Sequence, residues 1–270
     1  MLAKTDVRSS AAFWTNERIE AYLGGAEDSD MLILDLFSES APQWQRTNNY
    51  YGKPWIWCEL HDYGANMGLY GQVESVTVNP IQALANASST MVGLGPTMEG
   101  QEGNEIMYDI LLDQAWSKTS LDSGRYFRDW VTSRYHGAAS IPVGLYNAWD
   151  SMRRSVYNNT GLSVANAVTK SIFELTPNTT GLLNRTGHHS TAIPYSPAVL
   201  VNAWKDFYAA SAQDPSLWDN AAYTFDLTDI TRQVRPINAI LTSSGVRMLT
   251  FDRRSTGHGQ RFQPVIHHLP

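Results

Sequence analysis

The sequence lacks the residues on which disulfide-rich and thiolate-metal folds depend. Its 270 residues include one cysteine, Cys58, so no disulfide can form within the chain and a cysteine-rich metal site is excluded. No CxxC, HExxH or P-loop pattern occurs, which leaves metal and phosphate chemistry without a sequence basis. We therefore expect no cofactor.

Two further absences, of long apolar runs and of net positive charge, bear on membrane and nucleic-acid partners. No run of about 18 apolar residues occurs, so the sequence predicts no transmembrane helix, and its first residues lack the apolar segment of a signal peptide. The net charge of −6 disfavours a nucleic-acid partner, because phosphate binding requires a basic surface. We expect neither a nucleic-acid nor a membrane partner, and the sequence leaves the oligomeric state open.

Apolar and aromatic residues, in contrast, are plentiful. Apolar residues make up 43% of the chain, which includes nine tryptophans and thirteen tyrosines. This composition suffices for a sizeable core. Aromatic rings also provide flat surfaces against which sugar rings pack.

The first part of the chain, residues 13–116, alternates short apolar runs with helical patterns. Near-continuous apolar strands are predicted at 31–37, 55–61 and 90–95. Such strands, separated by helices, indicate a parallel sheet covered on its faces. Three strands are too few for a complete (β/α)8 barrel, so we interpret this part as the closing section of one.

The second part is helical. Amphipathic patterns recur from about residue 125 to 234, interrupted by a polar stretch, 158–195, that we interpret as mostly loop. The predicted fold class is therefore α/β followed by all-α. We divide the chain into a partial (β/α)8 catalytic barrel (1–120), an α-helical C-terminal domain (121–235) and an irregular tail (236–270).

Polar side chains follow each predicted strand at its carboxyl end, where barrel enzymes place their reacting groups. They are Ser38, Glu39 and Ser40 after the first strand, Glu59, His61, Asp62 and Asn66 within and after the second, and Glu99 after the third. Two carboxylates beside tryptophans are typical of glycoside hydrolysis, in which the carboxylates flank the scissile bond.

Each of these residues also has a purely structural interpretation. Glu99 could be a solvated loop carboxylate, and Glu39 could cap or pair locally. His61 and Asp62 are adjacent on a strand and point to opposite faces, so His61 is better explained as a structural hydrogen-bonding residue. Asp35, inside an apolar strand, must be hydrogen-bonded if it is buried.

Four sequence blocks, taken together, resemble a known enzyme family. The blocks "LILDLFSES", "WIWCELHDYGANMGLYG", "STMVGLGPTMEG" and "NEIMYDILLDQAW" are similar to those of the α-N-acetylglucosaminidases of glycoside hydrolase family 89, which include lysosomal enzymes that degrade heparan sulfate. The resemblance is dense over residues 13–116, continues more weakly through "RSVYNNTG", "NTTGLLNRT" and "FDLTDITRQ", and fades after about residue 233.

The resemblance implies a function and a site. Family members are retaining, exo-acting enzymes that release terminal α-linked N-acetylglucosamine, and they place a helical domain after the barrel. The block Pro96–Gly100 matches the one that carries the nucleophile, which would be Glu99. Trp57, His61 and Asn66 fall in a strongly patterned block and are candidate substrate-binding residues.

The chain also departs from the family pattern. It has Asp62, Ala65 and Met67 where animal members usually have Asn, Gly and His, which puts fine substrate contacts in doubt. The acid/base glutamate of the family, in a Phe-Asn-Glu block, has no counterpart. We therefore expect a fragment truncated at both ends, inactive in isolation, or alternatively a non-catalytic sugar-binding or degenerate product.

Four Asn-x-Ser/Thr sequons complete the sequence evidence. They begin at Asn86, Asn158, Asn178 and Asn184, and we predict glycosylation at each. With the resemblance, they favour a lysosomal, vacuolar or secreted location for the parent protein.

Overall fold

The structure, a computed structural model, describes residues 2–3, 12–100, 103–137, 140–160, 193–242, 250–252 and 263–265. For 2–3, 235–242 and the last two segments, the description covers the backbone alone.

A parallel sheet forms the centre of the α/β part. Its strands are β1 (Leu2–Ala3), β2 (Leu32–Asp35), β3 (Trp55–Glu59) and β4 (Met91–Pro96), which lie in that order. All three pairings are parallel. The three predicted strands are confirmed to within two residues at each end. Strand β1 adds a fourth, which is too short to show any periodicity.

Four helices belong to this part of the chain: α1 (Asn16–Leu23), α2 (Asn48–Tyr51), α3 (Val73–Ala85) and α4 (Glu105–Gln114). The short α2 is left-handed, because all four of its residues have positive φ. The stretch "GLYGQVESVTVNPIQALAN" indicates short helical pieces, whereas the structure has one helix, α3, with Pro80 in its interior. The buried stripe formed by Val73, Val76, Pro80 and Ala83 explains the continuity, because packing offsets the hydrogen bond that proline removes.

The helical part contains α5 (Ser123–Arg134), α6 (Val143–Arg154), α7 (Pro197–Gln213) and α8 (Ala221–Thr242). Its core is aromatic: Trp149 contacts both Phe127 and Phe207 edge to face, and Phe207 stacks on Tyr223. These rings join α5, α6, α7 and α8. The predicted division into an α/β part and an all-α part is confirmed.

The end of the chain differs from the prediction. We expected irregular structure from residue 236, but α8 continues past Pro236 to Thr242. Beyond it, β5 (Thr250–Asp252) and β6 (Gln263–Val265) pair antiparallel. Among the described residues, no helix is both long and apolar enough to cross a bilayer.

Candidate active site

Glu99 lies on the loop that follows β4, at the carboxyl edge of the sheet. We name residues 97–100 the β4-exit loop and residues 60–72 the β3-exit loop. The Glu99 side chain is exposed, and its Oε2 accepts a hydrogen bond from the Gly64 backbone N–H at 2.5 Å. The carboxylate is thus open to solvent while one of its oxygens is held by the neighbouring loop.

Asp62 connects the same two loops, but here the side chain belongs to the β3-exit loop and the N–H donors belong to the β4-exit loop. Its Oδ1 accepts the backbone N–H of Glu99 at 2.9 Å and its Oδ2 accepts that of Gly100 at 2.6 Å. Burial raises the pKa of the Asp62 carboxyl, and the two donated hydrogen bonds act against that increase. Asp62 therefore fixes the backbone of Glu99, and Gly64 fixes its side chain.

An unusual backbone conformation brings these groups together. His61, Tyr63, Gly64 and Ala65 all have positive φ, between 34° and 85°, and the Asn66 N–H closes a turn onto the Asp62 carbonyl at 2.7 Å. Non-glycine residues rarely adopt this region. The resulting reversal of chain direction places the Asp62 carboxylate and the Gly64 N–H on the same side of the β3-exit loop.

The two loops approach so closely that position 100 has no room for a side chain. A Cβ on Gly100 would lie 2.5 Å from the Ala65 Cβ, 3.0 Å from the Ala65 Cα and 3.3 Å from the Asp62 Oδ2. Glycine is therefore a steric requirement of the contact.

Glu39, after β2, is not exposed toward the site. It is 2% exposed, and its Oε1 accepts the backbone N–H groups of Leu60 and His61 and the Tyr63 hydroxyl, at 3.0 to 3.1 Å. Burial raises the pKa of Glu39 to about 7. The local pairing considered for Glu39 thus occurs, although its partners lie in the β3-exit loop and not in its own.

A buried polar cluster lies behind the loops. Glu59 is fully buried, and neither of its carboxyl oxygens has a hydrogen-bond partner among the described residues. Burial, with the charge of Glu39 as a second cause, raises its pKa well above the ordinary value. His61 Nδ1 lies 3.9 Å from Glu59 Oε1, and His61 Nε2 lies 2.9 Å from the Asn104 Nδ2. Burial lowers the pKa of His61 to about 4, so the ring is neutral near pH 7 and its role is structural.

The three residues proposed to bind substrate are all buried in the described structure. Trp57, His61 and Asn66 are 0%, 2% and 1% exposed. Trp57 lies on β3 opposite Leu94, and the Asn66 Oδ1 accepts the Gly68 N–H at 2.9 Å. His61 and Asn66 belong to the loop that holds Glu99, whereas Trp57 precedes it in the sheet.

Asp35 behaves as the sequence predicted. It is buried, and both of its oxygens accept the backbone N–H of Gln43, at 3.0 and 3.3 Å. Burial raises its pKa to about 6. It organises its own loop and does not contact the Glu99 loop by any hydrogen bond found among the described residues.

The helical part contacts the β3-exit loop directly. Arg232 on α8 donates to the Met67 carbonyl, and the Tyr195 hydroxyl donates to the Leu69 carbonyl at 2.8 Å. In addition, the Val73 N–H donates to the Tyr157 carbonyl at 2.8 Å. The loop that holds Glu99 is therefore supported from both parts of the chain.

Two of the predicted sequons lie in described segments. Asn86 is exposed at the end of α3, and its Oδ1 accepts hydrogen bonds from Ser88 and Asn49. Asn158 is half-buried and bridges Gln72. Asn178 and Asn184 lie outside the described residues.

Sequence reasoning missed the two residues that hold Glu99. Asp62 was noted as a polar residue after the second strand and as a departure from a family pattern, without this role, and Gly64 was not singled out. The available signal was the stretch "DYGAN", with its glycine, directly after a buried strand. Among the described residues, no group of three His, Cys, Asp or Glu side chains is placed to hold a metal ion.

Comparisons with known proteins point to one family. The "Alpha-N-acetylglucosaminidase (NAGLU) tim-barrel domain" matches residues 5–118, and the "Alpha-N-acetylglucosaminidase (NAGLU) C-terminal domain" matches residues 126–250. Human alpha-N-acetylglucosaminidase is 35% identical over 225 residues, which cover 82% of this chain and 28% of the human protein.

Solved structures of a family 89 glycoside hydrolase from Clostridium perfringens share the fold. The complex with PUGNAc has a TM-score of 0.67 and 24% identity, covering 84% of this chain and 24% of that one. The complex with 2-acetamido-1,2-dideoxynojirmycin has a TM-score of 0.71 and 23% identity, covering 89% and 25%. The chain thus spans about a quarter of the length of the relatives it matches.

Proposed function

This chain belongs to the α-N-acetylglucosaminidase family of glycoside hydrolases, and from that premise we propose that it carries the nucleophile of a retaining, exo-acting member. In this proposal Glu99 attacks the anomeric carbon of a terminal α-linked N-acetylglucosamine and forms the glycosyl-enzyme intermediate. The substrate class is a glycan with such a terminus, as in heparan sulfate-type chains.

One observation carries the proposal. Glu99 is a carboxylate exposed at the carboxyl edge of a parallel sheet, with one oxygen held by the Gly64 N–H and its backbone held by Asp62. A nucleophile must keep one oxygen free for attack while its orientation is restricted. A glutamate that only solvated a surface loop would have no need of these two contacts.

The pocket residues remain part of the proposal. Trp57, His61 and Asn66 are buried, so we assign them to the inner wall of the pocket rather than to its mouth. One solved relative was captured "in complex with its substrate GlcNAc-alpha-1,4-galactose", at a TM-score of 0.64 and 24% identity. That ligand supports a terminal N-acetylglucosamine as the group to test first.

The finer assignments are proposals of the same kind. We place the partial catalytic barrel at residues 1–120 and the helical domain at 121–235, and we assign the parent protein to the lysosome, vacuole or secretory route. Of the two sequons in described segments, Asn86 is the better placed for a glycan, because it is exposed while its Oδ1 is held by Ser88. A non-catalytic, sugar-binding or degenerate fragment is the alternative function, because the Phe-Asn-Glu block that carries the family's acid/base glutamate has no counterpart in the sequence.

The decisive experiment replaces the matching segment of the Clostridium perfringens enzyme with residues 13–116 and measures hydrolysis of an aryl α-N-acetylglucosaminide. In that chimera, Glu99→Gln should lower kcat by several orders of magnitude, because an amide is nearly isosteric with the carboxylate but a poor nucleophile. Circular dichroism should show an unchanged fold.

A matched control separates loss of the nucleophile from loss of a nearby charge. Glu105→Gln, at the first residue of α4, should retain most of the activity. If Glu99→Gln keeps more than about a tenth of kcat, Glu99 is not the nucleophile. If the chimera binds the sugar but does not turn it over, the sugar-binding alternative is favoured.

A further inference from the structure

We propose that Asp62 is a positioning residue for Glu99, and that Glu39 positions Asp62 in turn, so that two carboxylates orient the nucleophile through the backbone of successive loops. The inference rests on the proposed function for the meaning of Glu99. The contacts themselves can be tested without it.

The same contact occurs at two successive strand ends. Glu39 follows β2 and accepts the N–H groups of two consecutive residues, Leu60 and His61, in the next loop. Asp62 follows β3 and accepts the N–H groups of Glu99 and Gly100 in the loop after that. Each carboxylate thus determines where the backbone of the following loop lies.

Glu39 acts on Asp62 through the two residues on either side of it. Glu39 Oε1 accepts the backbone N–H of His61, the residue before Asp62, and the side-chain hydroxyl of Tyr63, the residue after it. Asp62 is therefore held on both sides by one oxygen, Glu39 Oε1. Any displacement of that oxygen moves the Asp62 carboxylate relative to the β4-exit loop.

The two carboxylates differ in how many of their oxygens accept hydrogen bonds. Both oxygens of Asp62 accept a hydrogen bond from a backbone N–H. In an asparagine at position 62, an NH2 group would replace one of these oxygens and would face an N–H donor. Glu39 uses Oε1 alone, and its Oε2 has no partner among the described residues. A glutamine at position 39 can keep all three bonds, whereas an asparagine at position 62 cannot.

Selective 15N labelling of glycine and glutamate in the 270-residue chain reports each contact separately. In Asp62→Asn, the Gly100 amide proton should shift upfield and exchange with solvent roughly tenfold faster or more, because a hydrogen bond to a charged group is lost. The Gly64 amide should shift as well, although Asp62 does not contact it, because the displaced Glu99 carboxylate no longer accepts its proton. Glu39→Gln should leave both signals in place.

Asp35→Asn is the matched control. Asp35 is also buried and also accepts a backbone N–H with both oxygens, so it reproduces any general loss of stability. It should leave the Gly64 and Gly100 amides unchanged. If Asp62→Asn unfolds the chain, the Gly100 amide is followed against pH in Glu99→Gln, where its signal should move as Asp62 is protonated, at a pH above the ordinary aspartate range.

Three results would overturn the inference. A Gly100 amide that ignores both Asp62→Asn and pH would show that the contact is absent. A Gly64 amide unmoved by Asp62→Asn would show that Asp62 does not orient Glu99. A Glu39→Gln variant that shifts the Gly100 amide as strongly as Asp62→Asn would show that the two carboxylates do not differ as argued.

The chimera distinguishes a failed inference from a failed function. There, Asp62→Ala should lower kcat roughly tenfold or more, since small errors in orientation are costly, with KM changed little. Asp62→Asn, the residue usual in animal members, should cost less, because its amide oxygen can still accept one of the two N–H groups. If the amide shifts occur but Glu99→Gln leaves turnover intact, the proposed function fails and the positioning contacts stand. If Glu99→Gln abolishes turnover but the amides do not respond, the positioning inference alone fails.

Discussion

At the scale of single residues, burial and hydrogen bonding give similar carboxylates different roles. Glu39 and Glu59 are buried and have raised pKa values, whereas Glu99 is exposed. The sequence placed all three at strand ends, and it correctly required a hydrogen-bonded Asp35. It could not assign Asp62, because the N–H groups that Asp62 accepts lie 37 and 38 residues further along the chain. No local pattern records such a contact.

Glu39 makes the stability of the chain depend on pH. Its pKa is about 7 in the native state against 4.5 ordinarily, so between these values the native protein holds a proton that the unfolded chain has released. The free energy of unfolding should therefore fall as the pH rises from about 4.5 to about 7, by roughly 2 to 3 kcal/mol from this group.

Urea unfolding at several pH values tests this, because Glu39→Gln removes the titrating group while keeping the hydrogen bonds to Oε1. The difference in unfolding free energy between wild type and variant should change by that amount across the window. His61, whose pKa is lowered to about 4, acts in the opposite direction and cancels in this difference. Asp129→Asn, which changes an exposed carboxylate, is the control and should keep the wild-type dependence of unfolding free energy on pH. If Glu39→Gln also kept it, the titrating group would not be Glu39.

At the scale of elements, periodicity predicted what depends on local sequence. Strands β2 to β4 and the helical part follow from apolar runs and amphipathic stripes. The predictions erred where a helix continues past a proline: α3 contains Pro80, and α8 extends beyond Pro236. They were silent on the β3-exit loop, because its positive-φ residues are mostly not glycine.

The close approach of the two exit loops leads to a steric prediction. Gly100→Ala should destabilise the chain by about 1–3 kcal/mol, because the added methyl overlaps both Cα and Cβ of Ala65 and the backbone must move. Gly93→Ala is the control on β4, since a Cβ there meets nothing within 4 Å. Equal midpoints of urea unfolding for the two variants would show that the loops do not pack as described.

At the scale of the whole molecule, catalysis requires more than an oriented nucleophile. Glycoside cleavage in retaining enzymes uses a second carboxyl group, about 5–5.5 Å from the first, that protonates the leaving oxygen. Among the described carboxyls at this edge of the sheet, Glu39 and Glu59 are buried. Both oxygens of Asp62 accept backbone N–H groups. None of the three is free to protonate a leaving group beside Glu99.

We therefore expect the 270-residue chain alone not to hydrolyse an aryl α-N-acetylglucosaminide at a measurable rate. General acid assistance is typically worth about 10² to 10⁴-fold, and without it an unactivated phenoxide is a much poorer leaving group than fluoride. A glycosyl fluoride needs no such proton, so slow release of fluoride from α-N-acetylglucosaminyl fluoride, abolished by Glu99→Gln, is compatible with this expectation and would isolate the nucleophile. Saturable hydrolysis of the aryl glycoside that disappears in Glu39→Gln would contradict it, because Glu39 would then have to leave the three donors on its Oε1 and act as the acid.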